Sequence, residues 1–253
     1  MKWVKMLPMV GFGLGLVSPA WAQDNEPVET APKTDTAEDD EVASASSASD
    51  GGKFAIGLRL GYALPMGSSV GVGSGATAQE MTDVVSGQFP IWLDLGYMVT
   101  PNVMLGVYGQ YGFTSLAGQI KTECDQASAL GVSCSASDIR LGGQVQYHFS
   151  PSEKIDPWLG LGVGYEWMTI SASGAGQDLS TTISGVEFAN LQGGVDFKVM
   201  PNFGIGPFIS LPLGQYGSVS NSGSGAASNP GGDISNKAIH EWLTFGARGA
   251  FTL

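Results

Sequence analysis

The stretch "IWLDLGYMVTPNVMLGVYGQYGF", residues 91–113, decides the fold. Apolar residues alternate with Gly, polar or charged ones on both sides of Thr100-Pro101-Asn102. A second stretch, "ANLQGGVDFKVMPNFGIGPFISLPLG" (Ala189 to Gly214), repeats the plan around Met200-Pro201-Asn202. A period of two puts alternate side chains on opposite faces of a β-strand. Pro fixes φ and Asn tolerates turn conformations, so each stretch reads as two strands joined by a tight turn.

The same alternation extends outward from these stretches. "FAIGLRLGYAL" (54–64) places Phe54, Ile56, Leu58, Leu60, Tyr62 and Leu64 on one face. Comparable segments are 88–99, 103–114, 138–149, 157–169, 202–212 and 239–253; the segment 184–199 alternates cleanly only from Leu191. Each has about ten residues or more, enough to cross a bilayer core as a tilted strand. Three connections are short: Thr100–Asn102, Ser150–Asp156 and Met200–Asn202. The connections 65–87, 115–137, 170–183 and 213–238 are long, rich in Gly, Ser and Ala, and read as flexible surface loops. Long and short alternate without exception. The layout predicts an all-β fold: an eight-stranded antiparallel up-and-down transmembrane β-barrel with periplasmic turns and extracellular loops.

Bulk properties agree. The chain has 253 residues, 38 of them Gly, with 13% charged residues, a net charge of −12 and a mean hydropathy of +0.09. No apolar run outside the N-terminus approaches the ~20 residues of a spanning helix. The eleven Lys and Arg form no cluster able to track a phosphate backbone, which argues against nucleic acid. Much of the acidity lies in residues 23–52, with nine acids and the single base Lys33. That segment is rich in Ala, Ser and Pro and lacks aromatics, so it reads as a disordered acidic tail. Before it, Lys2 and Lys5, the apolar run "MLPMVGFGLGLV" and "SPAWAQ" read as a signal peptide cleaved after Ala22. The expected organisation is therefore signal 1–22, acidic tail 23–52 and barrel 53–253.

The outward face of each strand is almost wholly apolar, while the other face is mostly Gly with a few charges and amides. A solvated exterior would not be so small, and a narrow lumen suits it. On the strand directions, Tyr62, Phe89, Tyr111, Phe113, Tyr165 and Trp167 belong to an extracellular aromatic belt. Phe54, Tyr97, Tyr147, Phe149, Trp158, Phe197, Phe203 and Phe251 belong to a periplasmic one. Glu187 and Glu241 fall on the lipid-facing register at the extracellular start of a downward strand. The inward register holds Arg59, Asp94, Arg140, Glu166, Asp196, Lys198 and Arg248, with Gln110, Gln144, Gln146, His148, Asn190 and Gln192. Charges there must be paired or hydrated. An eight-stranded barrel is just wide enough for side chains to fill, so a polar plug is favoured over a pore.

The last strand, "EWLTFGARGAFTL", resembles the C-terminal signal read by the outer-membrane assembly machinery, although it ends in Leu253 rather than Phe. Over 54–253 the chain resembles the outer membrane protein A/X/W-like group of eight-stranded barrels, in architecture and not in any short motif. The resemblance implies the bacterial outer membrane, with membrane lipid and lipopolysaccharide as surroundings, and it leaves function open.

Cys124 and Cys134 lie in one long loop, and the oxidising export route favours a disulfide. His148 and His240 belong to opposite barrel ends, so no shared metal site or cofactor is expected. Barrel enzymes such as the lipid A palmitoyltransferase and deacylase groups use His with Ser. A site of His240, Glu241 and a loop Ser is the enzymatic alternative, and the adjacent His-Ser pair of the deacylases is absent. The leading expectation is a non-enzymatic structural or surface-interaction protein, meeting an extracellular partner through its loops. A narrow channel for small or hydrophobic solutes is the alternative, and a soluble β-barrel carrier is the rival fold.

Overall fold

The computed structural model describes residues 52–71, 78–174, 176–223 and 231–253. The expected signal 1–22 and the acidic segment 23–51 lie outside the described residues, as do 72–77 and 224–230 within the Gly-rich stretches. Eight long strands carry the fold: β1 (Lys53–Val70), β3 (Val85–Met98), β4 (Val103–Leu116), β5 (Ser133–His148), β6 (Ile155–Gly174), β7 (Gln177–Met200), β8 (Phe203–Gly223) and β10 (Ile239–Thr252). Two-residue ladders, β2 (Gln79–Glu80) and β9 (Gly232–Asp233), pair with β1 and β8. Each long strand pairs antiparallel with its sequence neighbour, and β10 pairs with both β8 and β1. The ring is therefore closed. Closure satisfies the backbone donors and acceptors that a sheet edge would leave open, the condition for crossing lipid. Among the described residues no helix is long and apolar enough to cross a membrane.

The repeated Pro-Asn hinge does two things at once. Thr100 Oγ1 accepts hydrogen bonds from the backbone N–H of Asn102 and Val103, at 3.3 and 3.0 Å, and so closes its own turn. Asn102 then reaches the next hairpin: its Nδ2 donates to the His148 carbonyl at 2.6 Å, and its carbonyl accepts from His148 N at 2.7 Å. At the second hinge the Asn202 carbonyl accepts from Thr252 N at 2.8 Å. Both hinges fasten the end of a neighbouring strand to a short turn.

The long connections differ from the flexible loops expected. Most of their described residues are strand, because β6 runs to Gly174, β7 begins at Gln177, β8 runs to Gly223, and β5 begins at Ser133. Gly176, at φ 76°, takes the left-handed conformation immediately before β7, which glycine adopts without a Cβ clash. Their alternation is between hydroxyls and small apolar residues, a weaker hydropathy contrast than Gly against Leu. Residues 118–128 form helix α1 (Gly118–Ser128), supported by the i,i+4 pairs Gln119–Glu123 and Lys121–Asp125. A disulfide ties Cys124 in the helix to Cys134 in β5.

One register expectation is overturned. Glu187 is not on the lipid-facing side but is 1% exposed in the lumen, while Val186 and Phe188 point outward. The cause is a β-bulge. Gly162 pairs with Asn190 and Gly164 with Glu187, so β7 spends three residues where β6 spends two. The extra residue changes the parity of every position before it, so 184–199 could not read as one alternating strand. Glu241 keeps its outward register and is half-buried.

Candidate functional site

The lumen holds two polar groups, one above the other. In the lower group Arg59, from β1, makes a forked pair with Asp94 of β3 at 2.6 and 2.8 Å. It also donates to Gln192 of β7 at 2.7 Å and to Gln144 of β5 at 3.1 Å, and so ties strands on different sides of the barrel. Gln144 Nε2 donates to Asp94 at 2.8 Å. Arg248 donates to Gln146 at 2.9 Å and lies 3.3 Å from Asp196.

Trp158 belongs to this group, not to the periplasmic belt, and is 1% exposed. It shares the inward parity of Asp156 and Gly160. Its ring stacks with two cations, 4.3 Å from Arg248 and 5.4 Å from Arg59. The inward glycines make room for such rings. A Cβ on Gly194 would come 2.8 Å from the Trp158 ring, and one on Gly142 would come 2.4 Å from that of Tyr108.

The upper group is acidic. Arg140 of β5 lies 3.0 Å from Asp138, 3.3 Å from Glu166 and 3.8 Å from Glu187. Glu166 also accepts from Tyr216 at 2.8 Å and from Trp242 at 3.3 Å, and it pairs with His240 at 2.9 Å. Tyr108 donates to Glu187, and Gln110 donates to Asp138 at 3.2 Å. Arg59, Asp94, Arg140, Glu166 and Arg248 thus divide between two groups. The charge balance also differs from the expected excess of bases. Asp94, Asp138, Asp156, Glu166, Glu187 and Asp196 are buried against Arg59, Arg140 and Arg248. Asp138 and Asp156 have the parity of Arg140 and Trp158, so the period of two alone would have found them. Glu187 was hidden by the bulge.

The two ends of the lumen are unlike. At the extracellular end Met81, Val84, Val85, Met168, Tyr216 and Trp242 form a buried apolar cluster, with Ile120 of α1 and Ile234 packed on it. At the short-turn end a cavity of about 580 Å³ is lined by Lys53, Met104, His148, Asp156, Asp196 and Arg248 among others. Arg59, Trp92 and Trp158 do not line it. There His148 Nδ1 lies 2.8 Å from Asp156, and half-buried Lys198 donates to the Pro151 carbonyl at 2.9 Å. His240 lies at the other end, and its partner is Glu166, not Glu241. Among the described residues no group of three or more His, Cys, Asp or Glu is placed to hold a metal ion.

The outer surface changes character with height. The remaining belt aromatics lie outward and several pair edge-on, including Phe54 with Tyr97 at 5.3 Å, Tyr111 with Phe113 at 5.0 Å and Tyr147 with Phe149 at 5.1 Å. Tyr165 and Trp167 sit 4.7 Å apart. Above them, cross-strand rows on the same outward face carry hydroxyls. One row runs Ser137–Thr169–Thr182–Ser220, and the next Ser135–Ser171–Ser180–Ser222. The opposite face of these segments is apolar: Met168, Ile170 and Ile183 belong to or pack on the cluster that closes the lumen.

A family model described as outer membrane protein beta-barrel domain matches residues 9–189. Among solved structures, the chain is similar to the outer membrane protein OprG from Pseudomonas aeruginosa, with 12% identity and a TM-score of 0.47, covering 80% of this chain and 96% of that one. It is similar to Neisserial surface protein A, with 14% identity and a TM-score of 0.43, covering 77% and 95%. It is also similar to the outer membrane protein AlkL, with 16% identity and a TM-score of 0.42, covering 92% and 98%. No curated protein matches the chain.

Proposed function

The chain belongs to the outer membrane protein beta-barrel family and lies in the bacterial outer membrane, and on that premise we propose that it is a closed, non-enzymatic barrel acting through its extracellular surface. The observation that carries this reading is the apolar cluster over the lumen. Met81, Met168, Tyr216 and Trp242 are fully buried there, directly above the acidic group around Arg140. An ion entering from outside would have to cross a dry apolar layer and then separate paired charges, two steps that are each unfavourable. The strands of β5 to β8 meanwhile project beyond the aromatic belt as a hydrogen-bonded sheet, a rigid surface on which contacts can be made.

The enzymatic alternative has less support. His240 is 1% exposed, stacks on Tyr216 at 3.9 Å and is engaged by Glu166, so neither its position nor its partners present it to a lipid substrate. The channel alternative is favoured by one observation, the cavity at the short-turn end, whose lining reaches Asp196 and Arg248. Single-channel recording separates the two readings. The refolded protein in a planar bilayer is expected to be silent, with or without Arg140→Ala. Steady conductance that changes with Arg140→Ala would establish a permeation path and refute the closed barrel.

A further inference from the structure

We propose that the outward hydroxyl face of β5 to β8 is a docking surface for the neutral sugar rings of glycolipids in the surrounding outer leaflet. The proposal deepens the surface-interaction reading and rests on it. Its first support is continuity. The hydroxyl rows stand on the same strands and the same face as Leu161, Val163, Tyr165 and Trp167, the residues that meet the lipid. From Trp167 to Ser173 the strand extends about 20 Å, and at the usual tilt of barrel strands the wall rises about 15 Å. It therefore faces sideways into the headgroup layer, and a glycolipid packed on the apolar band below carries its sugars past it.

The second support is chemistry. Paired hydroxyls cross the wall: Thr169 with Thr182 at 2.8 Å, Ser180 with Ser222 at 2.7 Å and Ser184 with Ser218 at 2.9 Å. Each hydroxyl has one donor and two acceptor sites, so a pair joined by one bond keeps a donor and several acceptors for a ligand. Sugar hydroxyls offer the matching set. The pairing fixes the rotors, which lowers the entropy lost on binding. Charge narrows the ligand further. A face turned only toward bulk water ordinarily mixes Lys, Arg, Glu and Asp. Among the described residues the two rows themselves carry no charged side chain. Asp178, opposite Ser173, and Asp233, opposite Ser218, flank them, and the lysines nearby, Lys121 beside Ser135 and Lys237 beside Gly217, stand at the edges rather than on the rows. The wall suits an uncharged, hydroxyl-rich partner.

The test offers the full chain, in mixed micelles, equal amounts of a glycolipid with its complete oligosaccharide and the same lipid stripped to its acylated sugar base. The protein is then repurified and the bound glycolipids are counted. The complete form is expected to be enriched roughly five-fold, the scale of about one net hydrogen bond. Thr169→Val, Thr182→Val, Ser171→Ala and Ser180→Ala together remove four hydroxyls without adding bulk, valine keeping the β-branch that suits a strand, and are expected to bring the ratio to about one. A ratio near one in the unaltered protein, or an enrichment that survives the four substitutions, would overturn the proposal. So would equal occupancy by the free oligosaccharide, which would assign the wall to glycans in solution. Conductance is read separately: a conducting barrel would refute the closed-barrel reading without moving this ratio.

Discussion

Strand β6 crosses two environments without changing its alternation. Along its lower part Leu159, Leu161, Val163, Tyr165 and Trp167 point outward, while Gly160, Gly162, Gly164 and Glu166 point inward. Two residues further on, Thr169, Ser171 and Ser173 point outward, and Met168, Ile170 and Ala172 inward. The backbone does not turn over, and the period of two continues. What reverses is the surroundings: lipid outside and a polar lumen below, polar surroundings outside and an apolar closure above. The polarity of each face follows the medium it meets, so the reversal at Trp167 and Met168 marks the membrane surface to within a residue or two. The bulge in β7 shows the complementary case, in which alternation is locally broken so that Glu187 reaches Arg140 and Tyr108 instead of lipid.

This contrast can be broken outright. Deleting Phe188 removes the extra residue and exchanges the faces of 177–187, placing Glu187 in lipid and Val186 in the lumen. The expected outcome is a chain that no longer gives the folded band of an unheated sample on gel electrophoresis. Asp94→Ala is next in size. It leaves the fully buried Arg59 without its carboxylate, and denaturant titration in vesicles should show a loss of about 3–5 kcal/mol.

Two matched substitutions then sharpen the comparison, because they lie on one face of one strand. Leu161→Arg should cost about 2–4 kcal/mol in bilayer refolding equilibria, the penalty for a cation near mid-membrane. Reduction of the Cys124–Cys134 disulfide should weaken the projecting region by about 2–3 kcal/mol, read as faster proteolysis between 118 and 132 while the barrel stays folded. Ser171→Arg, ten positions above Leu161, should change stability by less than about 0.5 kcal/mol. Equal penalties at 161 and 171 would mean that lipid covers both, and the boundary at Trp167 would be wrong.

Much of this was legible beforehand. The strand count and the inward placement of Arg59, Asp94, Arg140, Glu166 and Arg248 follow from a period of two that each strand repeats. The misplaced residues have separate causes. Trp158 was assigned by its closeness to a strand end, although its parity was inward. Glu187 was lost because a bulge leaves no mark in hydropathy. The projecting halves of β6 to β8 were taken for loops because hydroxyl against Ile or Ala is a faint contrast.

By itself the amino-acid order determined the fold class and which face of most strands meets lipid, because these depend on local periodicity and on turn residues such as Pro101, Asn102, Pro201 and Asn202. Only the tertiary structure decided which charges meet. Arg59 finds Gln192 and Arg140 finds Glu187 across the ring, and such partners are set by barrel closure and by one bulge, neither of which any local pattern records.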